Sequence, residues 1–457
     1  MTTLVRHRLP IAPLLALAGA IVIVAGVRLV SSLPARDDLG LDEPLLDAPA
    51  GAVTAVSAAD ELGQARSDVV FWAARLTAHP GDIVAAVGLG QADLATARLT
   101  GDVTAYVRAE AAVDAALKAQ PGYAPAISMR AGLLVSLHRF PEARDLATTI
   151  LARLPDDPTA LGVLGDASLE LGDLATASRS YRALVTASDG SAAQVRIGRL
   201  DFVGGDVAGA IAADRAAAAD AGDEGLVGTP LAFYSVTLGD ALLATGDEAR
   251  ARDAYQAALA VRTDLPSALV GLARIDAFDG NLDSAIAHMD TAIAAIPLPD
   301  SLARRADLET LRNAPGDAAR AASDLATVGA IARLAGDAAY LYDRGTSLFL
   351  ADHRLDPARA VKLATDELAI RKDIYGYDAL AWALLNAGRP ADAAAPMQAA
   401  LAAGTPDARL WYHAGLVAAA DGRADEARTD LTRALALGPA LDPLSRSRAQ
   451  AALQGLS

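Results

Sequence analysis

Acidic pairs such as Asp247-Glu248 and Asp425-Glu426, the run Asp279-Gly280-Asn281-Leu282-Asp283 and six histidines are the residues here whose types could do chemistry. Paired carboxylates do general acid–base work when one of them keeps its proton near neutral pH. Both pairs fall where a turn gives way to a helix, and acids there cap the helix and face water. The Asp279 run is spelled like the start of a calcium loop but lacks the remaining ligands and the closing Glu. His7, His79, His138, His288, His353 and His413 are never three or four residues apart, so no helix offers a paired imidazole site. His138 and His353 occupy turn positions, and His413 neighbours core aromatics. There is no cysteine, which removes thiolate catalysis, disulfides and Cys-ligated metals. No phosphate loop, nucleophile elbow, dinucleotide fingerprint or zinc-protease motif occurs. The expectation is a chain that is not an enzyme, with no catalytic residue, metal or cofactor.

The elements that would carry these residues are set by a 34-residue period. Gly239, Gly246, Ala251, Tyr255 and Ala258 return as Ala273, Gly280, Ala285, Met289 and Ala292. Ala381, Gly388, Ala393, Met397 and Ala400 return as Gly415, Gly422, Ala427, Leu431 and Ala434. The same grid fits Ala131, His138 and Ala143, then Gly165, Gly172, Ala177 and Tyr181, then Gly198, Gly205 and Ala210. The first small residue lets two crossing helices approach closely. The Gly seven residues on supplies the positive φ that ends the first helix. An Asp after it, as in Gly172-Asp173, Gly205-Asp206 and Gly246-Asp247, caps the second helix. The following Ala packs back on the first helix, and a larger Tyr, Met or Leu fills the groove one turn on.

This pattern resembles the tetratricopeptide repeat family. The resemblance implies an all-α solenoid of about nine helix pairs, each contacting mainly its neighbours. It also implies that the first helix of each pair lines a concave groove where partner peptides bind. Carried over by register, the groove candidates are Asp166, Glu170, Arg199, Phe202, Asp240, Arg274, Tyr342, Tyr375, Trp382, Asn386 and Tyr412, whereas Trp411 falls at a packing position. The family's chaperone-tail clamp uses Lys and Asn, and no Lys stands at those positions here.

Residues 1–8 form a short basic N-terminus, and Leu9 to Val27 is a 19-residue run without a charge. As a helix that run is about 28 Å long, enough to cross a bilayer. Residues 9–30 therefore read as one transmembrane signal anchor. The alternative is a signal peptide whose cleavage leaves a secreted or periplasmic chain, but the small residues Ala18-Gly19-Ala20 lie mid-run, before Ile21. Arg6 and Arg8 favour a cell-membrane protein with the N-terminus inside and the repeats outside. Residues 31–66, with Pro34, Pro44, Pro49 and an acidic cluster, read as a linker. The solenoid is expected over 67–440 and a closing helix and tail over 441–457. The stretch 298–372 slips off the grid, as a hinge or a degenerate repeat.

A net charge of −16 argues against nucleic acid as a partner. These features together describe a membrane-tethered scaffold that gathers protein or peptide partners at a bacterial cell envelope. The alternative is a sensor or regulatory subunit whose groove takes a small molecule or peptidic ligand and acts on an attached transporter or enzyme. The sequence leaves oligomeric state open.

Overall fold

The turn chemistry of the repeat sets the helix boundaries. Asp157, Asp173, Asp206 and Asp247 accept hydrogen bonds from the amides of Ala160, Thr176, Gly209 and Arg250, three residues into the helices they start. The turn glycines Gly172, Gly205, Gly246, Gly280, Gly388 and Gly422 have φ between 74° and 87°. A Cβ on Gly246 would meet no atom within 4 Å, so only backbone strain opposes a side chain there. Gly246→Val is expected to cost about 1–3 kcal/mol in chemical denaturation, and an unchanged midpoint would refute the turn assignment.

The computed structural model describes residues 55–334 and 343–456. The expected membrane segment at 9–30, the first part of the linker and Tyr342 lie outside them. The described chain begins with α1 (Ala58–Ala78), α2 (Ile83–Thr100) and α3 (Val103–Ala119). Pairs follow as α4 (Ala124–Ser136) with α5 (Phe140–Leu151), α6 (Pro158–Glu170) with α7 (Leu174–Ala187), and α8 (Ser191–Val203) with α9 (Val207–Asp223). Next come α10 (Gly228–Ala244) with α11 (Glu248–Val261), α12 (Pro266–Phe278) with α13 (Leu282–Ala295), and α14 (Pro299–Arg312) with α15 (Asp317–Leu334). The last pairs are α16 (Asp343–Asp352) with α17 (Pro357–Ile370), α18 (Ile374–Asn386) with α19 (Pro390–Leu401), and α20 (Ala408–Ala420) with α21 (Ala424–Ala436). A 3₁₀ turn at Gly438–Ala440 leads to α22 (Pro443–Gly455). Among the described residues this is a solenoid of nine pairs with three helices before it and one after. The only β-pairing among them is an isolated bridge between Val56 and Arg262.

One expectation needs correction. Residues 58–66 are not linker: α1 starts there, with Ser57 and Asp60 forming a reciprocal capping box. The stretch 298–372 keeps two helix pairs, α14–α15 and α16–α17. There the left-handed residue is Arg354 (φ 51°), one position after His353.

Small and large residues interlock within the pairs as the period requires. The Tyr255 ring lies against both Gly239 and Gly271, where a Cβ would come within 2.7 and 2.3 Å of it. Gly165 meets Tyr181 in the same way, and Gly415 meets Leu431. One slot departs from this. Asp214 takes the place of the large residue on α9, packed on Gly198 and only 6% exposed. Burial, with Asp240 on α10 and Asp201 on α8 adding repulsion, pushes its carboxyl up to about 7. A folded-state value raised above the unfolded one means the contribution of Asp214 to stability is fullest below pH 4 and falls as pH rises towards 7. Asp214→Asn should match the parent near pH 4 and exceed it by roughly 2–4 kcal/mol at pH 8. Equal denaturation midpoints at both pH values would contradict this burial.

The array also closes on itself. Contacts recur at a spacing of about six repeats, joining first-to-second-helix turns to loops one winding later. Arg371 Nε donates to Glu170 Oε2 (2.6 Å) across 201 residues, and Thr405 Oγ1 donates to the Val203 carbonyl (2.6 Å) across 202. Arg262, 1% exposed, pairs with Glu61 at 3.0 Å across 201 residues. Arg274 Nη2 donates to the Ala440 carbonyl (2.8 Å) across 166. A Cβ on Gly172 would lie 2.5 Å from the Lys372 carbonyl oxygen, so this approach has no room for a side chain. Contact is thus mainly between neighbours, as repeat architecture leads one to expect, and at these points a unit also touches one 166 to 202 residues away.

Candidate functional site

Every groove candidate among the described residues lies on the first helix of its pair. Asp166 and Glu170 are on α6, Arg199 and Phe202 on α8, Asp240 on α10, and Arg274 on α12. Tyr375, Trp382 and Asn386 are on α18 and Tyr412 on α20. Their exposure differs. Asp240 is exposed, Arg199, Phe202, Arg274, Tyr375 and Asn386 are half-buried, and Asp166, Glu170, Trp382 and Tyr412 are buried.

The buried ones are taken up by the fold. Arg196 grips Asp166 with two bonds of 2.9 and 2.8 Å, and the Tyr181 hydroxyl donates to the same carboxylate (2.9 Å). Glu170 accepts from Arg199 Nη2 (2.6 Å) and from Arg371. Burial alone would raise the Glu170 carboxyl, but Arg371, Arg199 and Arg344 hold it well below the usual carboxylate range. Arg344 in turn pairs with Glu367 (2.6 Å) and Asp373 (2.7 Å), so one charge network spans two windings. The display of Trp382 and Tyr412 in the groove is corrected. Trp382 stacks on His413 (centroids 3.9 Å apart, 10° between planes) and donates from Nε1 to Asp352 Oδ1 (2.7 Å). The Tyr412 ring is 5.7 Å from it in the same core. Trp411 is in the core as its position requires, with the Arg433 guanidinium 3.6 Å over its ring.

Towards the C-terminal end the lumen widens into a cavity of about 420 Å³. Leu308, Val328, Ile331 and Phe349 form an apolar wall, and Asp300, Arg304, Asp352, Asp407 and Arg409 a charged one. The 3₁₀ turn and α22 pass over one end, fastened by Arg274 to the Ala440 carbonyl and by Arg446 stacked 4.6 Å over Phe278. Among the described residues no group of three or more His, Asp and Glu side chains is placed to hold a metal ion. The His413 Nδ1–H donates to the buried Asp378 Oδ1 (2.8 Å), which fixes the ring at the cavity edge.

A tetratricopeptide repeat family profile matches residues 128–192, 236–298 and 379–442, the stretches holding pairs α4–α7, α10–α13 and α18–α21. The chain carries tetratricopeptide repeats in these three stretches. No curated protein matches it. A tetratricopeptide repeat protein from Parabacteroides merdae ATCC 43184 is 17% identical, covering 58% of this chain and 98% of its own, with a TM-score of 0.32. PilW, a widely conserved type IV pilus biogenesis factor, is 18% identical, covering 47% of this chain and 94% of its own, with a TM-score of 0.38. The assignment rests on the repeats and not on these likenesses.

Arg304, Asp352, Arg371, Thr405 and Arg409 of the tetratricopeptide array are absent from the groove expectation. Arg304 and Arg409 had a local signal. Arg304 stands four residues after Asp300, and Arg409 four before His413, on one helix face each. Arg371 and Thr405 had none, because they lie in loops and their partners are about 200 residues away.

Proposed function

We propose that this chain is a membrane-tethered scaffold that gathers protein partners at a bacterial cell envelope. The observation that carries the reading is the tandem array itself: stacked helix pairs build an extended surface suited to holding other chains. The half-buried and exposed candidates Arg199, Phe202, Asp240, Arg274, Tyr375 and Asn386 are the partner-contacting groups in this reading. The apolar run Leu9 to Val27 is the tether, with the N-terminus inside and the array outside. Among the described residues no helix is long and apolar enough to cross a membrane, so the tether rests on that run alone.

Proximity labelling from the native membrane tests the scaffold: enrichment of one envelope complex, lost when Tyr375 and Phe202 are both changed to Ala, supports it. Labelling indistinguishable from that of an unrelated anchored protein contradicts it. The chain has no cysteine, so Ala48→Cys gives a single reporter of topology. The reporter should react with a membrane-impermeant thiol reagent in intact cells, or in spheroplasts where an outer membrane blocks access. Reaction only after lysis contradicts the topology.

A further inference from the structure

We propose that the cavity at the C-terminal end of the lumen binds a small zwitterion with an apolar side chain, a free apolar α-amino acid or a short apolar peptide. The inference goes beyond the scaffold reading and does not depend on it. A volume of about 420 Å³ falls in the range of small-molecule sites. The 3₁₀ turn and α22, tied down through Arg274 and Arg446, pass over one end.

The lining supplies three complementary parts. The first is Arg409. It stands on α20, one turn before His413, and its guanidinium makes no hydrogen bond or ion pair among the described residues. Asp378, Asp407 and Asp352 lie in its surroundings, none within ion-pairing distance. By contrast, Arg304 is held by Asp300 (2.7 Å) and Arg274 by the Ala440 carbonyl. An unengaged guanidinium fork in a confined space selects a carboxylate, which it grips through two parallel bonds.

The second part is a pair of acids beside it. Asp352 accepts from Trp382 through Oδ1, and Asp407 accepts from the amides of Arg409 and Leu410 through Oδ1. Each leaves Oδ2 for an ammonium group. The third part is the apolar wall of Leu308, Val328, Ile331 and Phe349, which takes a hydrocarbon or aromatic side chain. An apolar carboxylate lacking the amine would leave the acids unanswered, and an amine lacking the carboxylate would leave Arg409 so. Only a molecule carrying both ends and an apolar body answers all three.

Titration calorimetry on the detergent-solubilised full-length chain tests this, with L-phenylalanine, L-leucine and L-leucyl-L-leucine as probes. Phenylacetate and phenethylamine are the comparators that lack one charge each. The expected result is saturable binding of at least one zwitterion, with both comparators weaker by about tenfold or more. The order of the amino acids and the dipeptide then distinguishes a free amino acid from a peptide. Arg409→Gln should weaken binding by about tenfold or more with little shift of the melting curve, since the side chain loses no hydrogen bond or close ion pair. Gly345 lines the cavity on α16, and a Cβ there would meet nothing within 4 Å. Gly345→Leu should therefore fill the space and remove binding while keeping the fold, because Leu is the better helix former. Absence of binding by all three zwitterions overturns the inference, as does binding unchanged in both variants. Capture of protein partners by a chain that fails these tests would leave the scaffold reading intact.

Discussion

Trp382→Ala is expected to destabilise the array by about 3–5 kcal/mol, the usual cost of emptying a buried tryptophan site. The ring is 4% exposed, stacked on His413 and tilted against Tyr412, so its removal opens a cavity in the core of the last three pairs. It also strips Asp352 of the donor at 2.7 Å, leaving a carboxylate at the cavity wall without its fixed partner. Trp382→Phe separates the two terms. It restores most of the packing but not the hydrogen bond, and should cost about 1–2 kcal/mol. A melting curve for Trp382→Ala that overlays the parent would mean that the ring faces the lumen, as its register alone suggests.

Glu170→Gln should be as costly, at about 3–5 kcal/mol, because the amide leaves Arg199 in a half-buried site without its counter-charge and Arg371 with only the longer pairs to Glu367 (3.6 Å) and Asp373 (3.8 Å). Arg199 and Arg371 are 21% and 16% exposed and cannot turn fully to water. The loss is also expected to loosen contact between windings, since Arg371 belongs to the loop after α17 and Glu170 to the end of α6. Scattering from the Gln variant should give a larger radius of gyration than the parent. The pH dependence has a fixed sign. The folded Glu170 carboxyl titrates below its unfolded value, so its contribution is complete at neutral pH. It disappears only as pH falls through the acid range, below where ordinary carboxylates protonate. A Gln variant with parental stability and parental dimensions at neutral pH would show that the network does not bind the windings together.

The residues read correctly from the sequence are those whose roles are local. Gly246 and Tyr255 are placed by a period of 34, because a turn conformation and a helix-crossing slot depend only on residues within one or two units. Trp411 reads as core for the same reason. The start of α1 is not legible because Ala58, Ala59 and Gly63 carry no apolar stripe, and Asp60 stands where a capping box more often has Glu. Trp382 and Tyr412 show a different limit. Register places them on the right helix, but which way a ring turns depends on the helix beside it, here on His413 and Asp352. The link from Glu170 to Arg371 is further still from local pattern. It comes from small rotations between successive pairs accumulating over six repeats, and no single repeat encodes that sum. For the candidate site, the sequence therefore indicates the lumenal helices but not the cavity at their end.

Closure of the winding is the claim on which the lumen, the cavity and the Glu170 network all depend. Since the chain has no cysteine, Gly204→Cys and Ala402→Cys introduce one spin-label pair on exposed turns beside the Thr405–Val203 contact. Six helix pairs stacked in a straight row at about 10 Å each would hold the labels about 60 Å apart. Pulsed dipolar spectroscopy on the closed array should instead give one narrow distribution at the short end of its range. A broad distribution centred near the straight-row distance would contradict the closed winding.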